Sequence, residues 1–516
     1  MKKHIWLFIV LFPLLLLAQT EGTPTEPQNG IGMGGMVGSI TIGDQTYSQI
    51  RLMPEVTFWK FGLGLDIDLL IDSEGNVRKE DWDEARDMIN KIYYIRFAQR
   101  GEPFYARVGG FPFYTLGHGL IMKDYSNMLL YPNQRNIGAM MGFNLPLPLK
   151  PGAEIFTSNV EKNEILAANA HFMPLSISDI PLLSKISLGV SVVTDRNQYG
   201  KYEDSDGDKV PDVLDPNPDS PNYLWDLDGD GLSNNPNPMN GQYDSESDMD
   251  IDGDGILDSP GVNSLVEELL PNLPDSLATL LDNQIDPLHR YGAKKDIKIF
   301  SVDYDLPLIQ SKLFTLGHYA EIAQIENYGS GFIFPGFYSK FLIFNANLEF
   351  RRFGEKFIPA YFDNLYDDQR SYVIGDTIVT KDMMLDYVKA CYGWYGSLEA
   401  NLFNVIIMRA AYQDMYGTDV QTGKSLWAKV GLDPKIIPKL REASVGYAQT
   451  NVPYLSIDKL QTPSAQIDGK LAYGLSENTF LVGKYTERYV DLDGNGKIKG
   501  KDETVKSMTF GVEFQF

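Results

Sequence analysis

Cysteine is almost missing from this chain. Among 516 residues there is a single one, Cys391, so no disulfide can form within one molecule. That excludes a disulfide-stapled secreted scaffold. Histidine is nearly as scarce, at five residues, and no Cys–His grouping of the kind zinc prefers is present. Beyond the N-terminus there is no apolar run of about 18 residues, which excludes a helical membrane protein. Positive charge is short as well: 45 Lys plus Arg stand against 69 Asp plus Glu, a net of −24. Phosphate backbones are held by clustered bases, so nucleic acid is excluded as a general partner. What the chain does have is glycine (47), tyrosine (29) and phenylalanine (27).

Lys2 and Lys3 precede an apolar run from Ile5 to Ala18, and polar sequence begins at Gln19. A basic start, a short apolar stretch and a small residue at its end describe a secretory signal over 1–18, cut near Ala18. The run of 14 residues is too short to span a membrane comfortably. The mature protein is therefore expected to be exported.

The dominant pattern is period 2, the mark of strands with two unlike faces. Leu63, Leu65, Ile67 and Leu69 alternate with Gly64, Asp66 and Asp68. Leu342, Phe344, Ala346, Leu348 and Phe350 alternate with Ile343, Asn345, Asn347, Glu349 and Arg351. The same alternation recurs through Ile406–Tyr412, through Gln466–Tyr473 and through the closing segment Ser507–Phe516. A water-soluble sandwich and a membrane barrel both alternate. Sandwich strands usually run five or six residues, whereas these segments run ten to twelve, the length that a tilted membrane strand needs. The polar face carries both charge signs, among them Arg51, Glu55, Asp66, Asp68, Arg96, Arg107, Glu399, Arg409 and Glu442. Tyr and Trp recur near strand ends, where amphipathic rings suit lipid headgroups.

Candidate strands start near residues 30, 46, 60, 91, 103, 136, 152, 164, 186, 296, 313, 331, 341, 391, 404, 426, 441, 465, 478 and 505. The literal count is twenty; Pro335 weakens the twelfth, so the expectation is 16–20. If the first strand rises from the periplasm, every very long connection (73–90, 112–135, 197–295, 354–390 and 489–504) falls on the other side. Short periplasmic turns and long outer loops are the habit of outer-membrane barrels. On the signal, the strand period and the terminal aromatic strand, the chain resembles bacterial outer-membrane porin-type β-barrels. The expected fold class is all-β, an antiparallel transmembrane barrel divided as 19–200 and 293–516 around an insertion at 201–292.

That insertion holds 22 Asp plus Glu and 3 Lys plus Arg, and so −19 of the chain's −24. Such a block repels itself unless counter-ions bind it. Asp204, Asp206 and Asp208 are followed by Asp212 and Asp215. Asp226, Asp228, Asp230 and Gly231 are followed by Asn234 and Asn237, and Asp250, Asp252, Asp254 and Gly255 by Asp258. Carboxylates at positions 1, 3 and 5, a glycine turn and a later oxygen wrap a hard cation, and Ca²⁺ favours such a cage. The three units resemble thrombospondin type 3 repeats over about 204–261, which implies calcium binding by these residues. Lys209 replaces the first unit's glycine, and Gly261 replaces the last acid of the third. Asp491, Asp493, Asn495 and Asp502 resemble an EF-hand-type loop, with strand pattern in place of the usual flanking helices. Residues 262–288 have the spacing of two short amphipathic helices broken by Pro271 and Pro274.

Enzyme signatures are thin. Thr115–Leu120 followed by Ser126 and Asn127 puts His near Ser, but nearness in sequence is not triad geometry. No Gly-x-Ser-x-Gly elbow and no phosphate loop occur. Gly117-His118-Gly119 is read as a tight turn or an inward-folded constriction, and the chain as non-enzymatic. Two functions remain open. One is a passive or weakly selective porin for small solutes with a calcium-ordered outer loop. The other is a calcium-dependent surface adhesion protein, anchored in outer-membrane lipid and contacting a cell-surface partner.

Overall fold

The computed structural model describes residues 30–42, 45–82, 88, 91–129, 136–205, 211–214, 295–374, 377–402, 405–417, 423–432, 437, 439–452, 461–462, 465–474, 479–489, 498 and 503–515. The first strands are β1 (Gly30–Ile42), β2 (Gln45–Phe58), β3 (Phe61–Leu65), β4 (Ile67–Ile71), β5 (Ile92–Phe97) and β6 (Phe104–Gly109). Next come β7 (Gly138–Asn144), β8 (Gly152–Thr157), β9 (Ile165–Phe172), β10 (Ser187–Asp195), β11 (Ile297–Gln310) and β12 (Phe314–Ile325). They are followed by β13 (Ser330–Phe341), β14 (Phe344–Phe353), β15 (Ser371–Ile374), β16 (Thr377–Thr380), β17 (Cys391–Leu402) and β18 (Ile406–Tyr416). The last are β19 (Lys424–Leu432), β20 (Leu440–Val452), β21 (Ala465–Gly474), β22 (Thr479–Tyr489) and β23 (Thr504–Gln515).

All but β15 and β16 belong to one antiparallel sheet. Successive staves pair, with β3 passing on to β5 and β14 to β17, and β1 pairs with β23 from Gly34↔Gln515 to Val37↔Val512, closing the sheet into a barrel. β3 and β4 are two pieces of one stave, since both pair with β2. The break at Asp66 has a local cause. Pro54 of β2 lies between the two paired stretches and has no N–H to offer, and on the other side the Asp66 N–H donates to Lys91 O at 2.7 Å. The 21 strands of the sheet therefore make twenty staves among the described residues, as the literal strand reading expected. Pro335 does not remove the twelfth: the register of β13 against β14 shifts between Ile333 and Gly336, and a bulge is where a strand tolerates proline.

The wall β5–β9 has strands of only six to eight residues, shorter than the segments singled out by alternation. Gly109 adopts φ +127° and turns the chain off the wall. The side chain of Asn127 then takes over the ladder's work. Its amide donates toward Gly109 O, Asn136 O and Ser158 O (3.3, 3.0 and 2.9 Å), and its Oδ1 accepts from Phe111 N–H at 2.7 Å. Strand-end groups that a longer ladder would pair are satisfied this way, as buried backbone must be.

The faces are inverted relative to a soluble protein. Outward positions are apolar and open: Phe58 is 76% exposed, Phe510 66%, Val445 62% and Ile322 56%. Inward positions are polar and covered: Asp66, Glu154, Glu321, Glu349 and Arg96 are all buried. An apolar band right round a closed wall requires an apolar surrounding, and an antiparallel barrel meets that requirement with all its backbone paired.

The chain divides into two compact units, and the second, 195–297 with 368–384, takes in the middle of the long connection after β14. In it, β15 and β16 form a hairpin, and Tyr199 and Ile378 make a small core with Tyr202, Leu214 and Val373. Arg370 faces Asp195 at 3.5 Å, and Lys295 faces Asp382 at 3.2 Å.

Candidate functional site

The connection between β6 and β7 folds into the barrel. Its side chains make a dry core: Tyr114, Leu116, Leu120, Ile121, Met122 and Tyr125 are almost completely buried. Tyr114 stacks on Phe156 of β8 with centroids 4.0 Å apart, and Phe111 meets Phe156 edge-on at 5.1 Å. Burial pushes the Tyr114 phenol well above its ordinary range, so it stays a neutral donor.

Two carboxylates of the wall hold this loop. Glu154 of β8 accepts from Tyr114 OH at 2.7 Å, from Tyr105 OH at 2.8 Å and from Arg100, whose Nε and Nη2 lie at 2.8 and 2.5 Å. Arg100 also donates to Thr115 O at 3.0 Å. Glu321 of β12 accepts the backbone N–H groups of His118 and Leu120, both at 3.1 Å. A side chain at residue 117 would crowd that carboxylate, because a Cβ there would lie 3.1 Å from Glu321 Oε1; Gly117 also has φ +54°. The inward-folded constriction read from Gly117-His118-Gly119 is what the structure contains.

A second inward segment, from the start of the connection after β14, pairs with the first. Met122 bridges Phe362, Ala360 N–H donates to Leu120 O at 2.7 Å, and Lys123 N–H donates to Phe362 O at 3.0 Å. Tyr125 OH donates to Asp367 Oδ1 at 2.8 Å. Together the two segments form a folded obstruction within the barrel.

Around it the wall uses one device repeatedly. A tyrosine lies across a glycine of the next stave and reaches a carboxylate beyond. Tyr105 pairs with Gly142, which pairs with Glu154. Tyr319 pairs with Gly336, which pairs with Glu349, and its OH donates to Glu349 Oε1 at 2.6 Å. Tyr94 pairs with Gly64, which pairs with Glu55, and its OH bonds that carboxylate. Tyr338 crosses Gly317 and donates to Asp305 Oδ1 at 3.1 Å. Sequence reading missed these sets because their members lie up to 49 residues apart and meet only through register.

Basic side chains face the same lumen. Arg51 makes a bidentate contact with Asp66, both distances 2.7 Å. Arg351 binds Glu349 at 2.6 Å, Arg409 binds Glu399 at 2.8 Å, and Lys470 binds Glu442 at 2.9 Å. The polar face read from alternation is thus the lumen face.

His118 and Ser126 have different partners. The His118 ring stacks on Tyr319 at 4.1 Å, whereas Ser126 Oγ accepts from the N–H of Met128 at 3.2 Å. Of the candidate calcium ligands, Asp204 and Asp212 fall within the described residues. Asp212 accepts from Ser205 N–H at 2.8 Å and from Ser205 Oγ at 2.6 Å. Asp206, Asp208, Asp215, Asp226, Asp228, Asp230, Asn234, Asn237, Asp250, Asp252, Asp254, Asp258, Asp491, Asp493, Asn495 and Asp502 lie outside the described residues, as do the expected helices at 262–288. Among the described residues, no group of three or more His, Cys, Asp or Glu could hold a metal ion.

No protein-family model matches the chain, and no curated protein matches it. Among solved structures it is similar to OccK11 (OpdR) of Pseudomonas aeruginosa, at 9% identity over 94% of both chains with a TM-score of 0.32. It is similar to Wzi of Escherichia coli, described as a carbohydrate-binding β-barrel involved in group 1 capsule assembly, at 10% identity over 95% of this chain and 84% of that one, TM-score 0.34. It is also similar to the ferric enterobactin receptor PfeA of P. aeruginosa, at 9% identity over 94% and 80%, TM-score 0.38. At such scores the fold rests on the strand pairings above.

Proposed function

We propose that the protein is an outer-membrane channel of restricted bore that passes small polar solutes passively, with an extracellular insertion that binds calcium. The observation that carries this reading is the pair of inward segments bridged at Met122 and Phe362, set in a lumen whose wall bears both charge signs. The apolar outer face supports placement in a membrane. The edge of the barrel that follows β2, β5, β7, β9, β11, β13, β17, β19 and β21 has short or moderate connections, and the opposite edge, which follows β4, β6, β10, β14 and β22, has all the very long ones. That asymmetry supports an outer-membrane orientation with 201–292 outside.

Inward loops narrow a wide barrel to a selective passage, and opposed wall charges orient a dipolar solute within it. The test is purified protein in planar bilayers. Discrete conductance steps are expected, and their absence would overturn the channel reading.

A second reading is favoured by the near-total burial of Ile121, Met122, Tyr125 and Tyr361, which makes the obstruction a packed body. On that reading the barrel is an anchor and the acidic insertion makes calcium-dependent contacts at the cell surface. Deleting 206–294 should then abolish adhesion; unchanged adhesion with altered ion flux would exclude it.

A further inference from the structure

Lys123 follows the Met122–Phe362 bridge, so its Cα is fixed to both inward segments. Its side chain extends toward the wall, where its ammonium lies 5.6 Å from the ring centroid of Tyr395 on β17. The same ring carries the guanidinium of Arg351 at 3.9 Å. Tyr395 faces the lumen, since it pairs with Glu349 on one side and Gln413 on the other.

The two cations are in different situations. Arg351 is spent: Nε and Nη2 bind Glu349 at 2.6 Å, and Nη1 donates to Gln413 Oε1 at 2.8 Å. Lys123 has no ion pair and no side-chain hydrogen bond among the described residues. The neighbouring acid does not serve it: Asp124 turns back to Thr115, whose Oγ1 lies 3.4 Å from Asp124 Oδ1 and accepts from Asp124 N–H at 2.9 Å. The carboxylate beside that ring, Glu349, is thus taken up by Arg351 and Tyr319. An aromatic face attracts an ammonium but leaves its three donors unfilled, and a half-buried cation without a counter-charge draws an anion strongly.

We infer that Lys123, steadied over Tyr395 beside Arg351, is the contact at which the constriction takes up a small anionic group, a carboxylate or a phosphate. This rests on the channel reading and adds a substrate class to it. The charge belongs to the inward obstruction itself, beside the Met122–Phe362 bridge.

The test is the reversal potential of the full-length protein in planar bilayers under a tenfold KCl gradient. It is measured for wild type, Lys123→Gln and Lys123→Arg, and repeated with potassium acetate and potassium phosphate. Lys123→Gln is expected to lower the anion-to-cation permeability ratio at least about threefold in all three salts, and Lys123→Arg to retain it. Acetate and phosphate separate the two anion classes, and a loss confined to one assigns the site to that class. A merely structural lysine would change unitary conductance and leave the ratio alone. An unchanged ratio in Lys123→Gln overturns the inference while the channel stands. No conductance in wild type overturns the channel reading, and this inference with it.

Discussion

Tyr319 and Glu349 are joined across a gap made by the absence of a side chain. The phenol lies over Gly336 and donates to Glu349 at 2.6 Å, two staves from its own. A Cβ at 336 would stand 2.7 Å from the Tyr319 ring. The glycine is what allows a lumen tyrosine to lie flat, and the carboxylate is what fixes where it ends.

Gly336→Val should therefore displace Tyr319. Overpacking of this kind costs about 1–3 kcal/mol. Tyr319→Phe should cost less, about 1 kcal/mol, because Arg351 still pairs with Glu349. Thermal unfolding in detergent, followed by the loss of sheet signal, ranks the two variants. The reverse order would contradict the latch.

Glu321 holds the apex of the inward loop through two backbone N–H groups. A hydrogen bond contributes about 0.5–1.5 kcal/mol net, so Glu321→Ala, which removes two, should loosen the apex while the barrel stays closed. Hydrogen exchange at residues 116–122 is expected to rise sharply in the variant, with strands β17–β22 unaffected. Equal protection in both proteins would show that the apolar core around Ile121 holds the loop alone.

Asp66 is buried and its counter-charge is Arg51. Removing one partner of a buried pair costs about 3–5 kcal/mol, since the other charge is left unpaired. Arg51→Ala should lower the unfolding midpoint markedly. The double variant Arg51→Met with Asp66→Leu should recover much of the loss, and failure of that recovery would indicate a role beyond pairing.

Calcium is expected to order the insertion. Limited proteolysis within 206–294 should slow severalfold in millimolar calcium relative to chelator, the affinity range of extracellular calcium modules. Replacing Asp226, Asp228 and Asp230 by Asn should speed cleavage at that unit first. Equal cleavage with and without calcium would remove the cation from the account.

The staves were legible because period 2 is a local signal. Expected starts near 60, 152 and 465 meet Phe61, Gly152 and Ala465. Where the reading slipped, a backbone detail was responsible: Leu342, read as the head of a strand, has φ +51° and belongs to the turn before β14. The short wall β5–β9 was not legible, because Asn127 shortens it from within the loop by collecting carbonyls of three different segments. The inward turn at Gly117-His118-Gly119 was visible as a possibility, but its anchor, Glu321, is some two hundred residues away.

By itself the sequence determined which side chains face out and which face in, and where the chain reverses. Both follow from alternation and turn chemistry within a dozen residues. Only the tertiary structure decided that the lumen is obstructed, which carboxylates grip the obstruction and that Lys123 lies over Tyr395 without an ion pair among the described residues. Those outcomes depend on register around a closed wall, where a shift of one residue exchanges every inward group for an outward one.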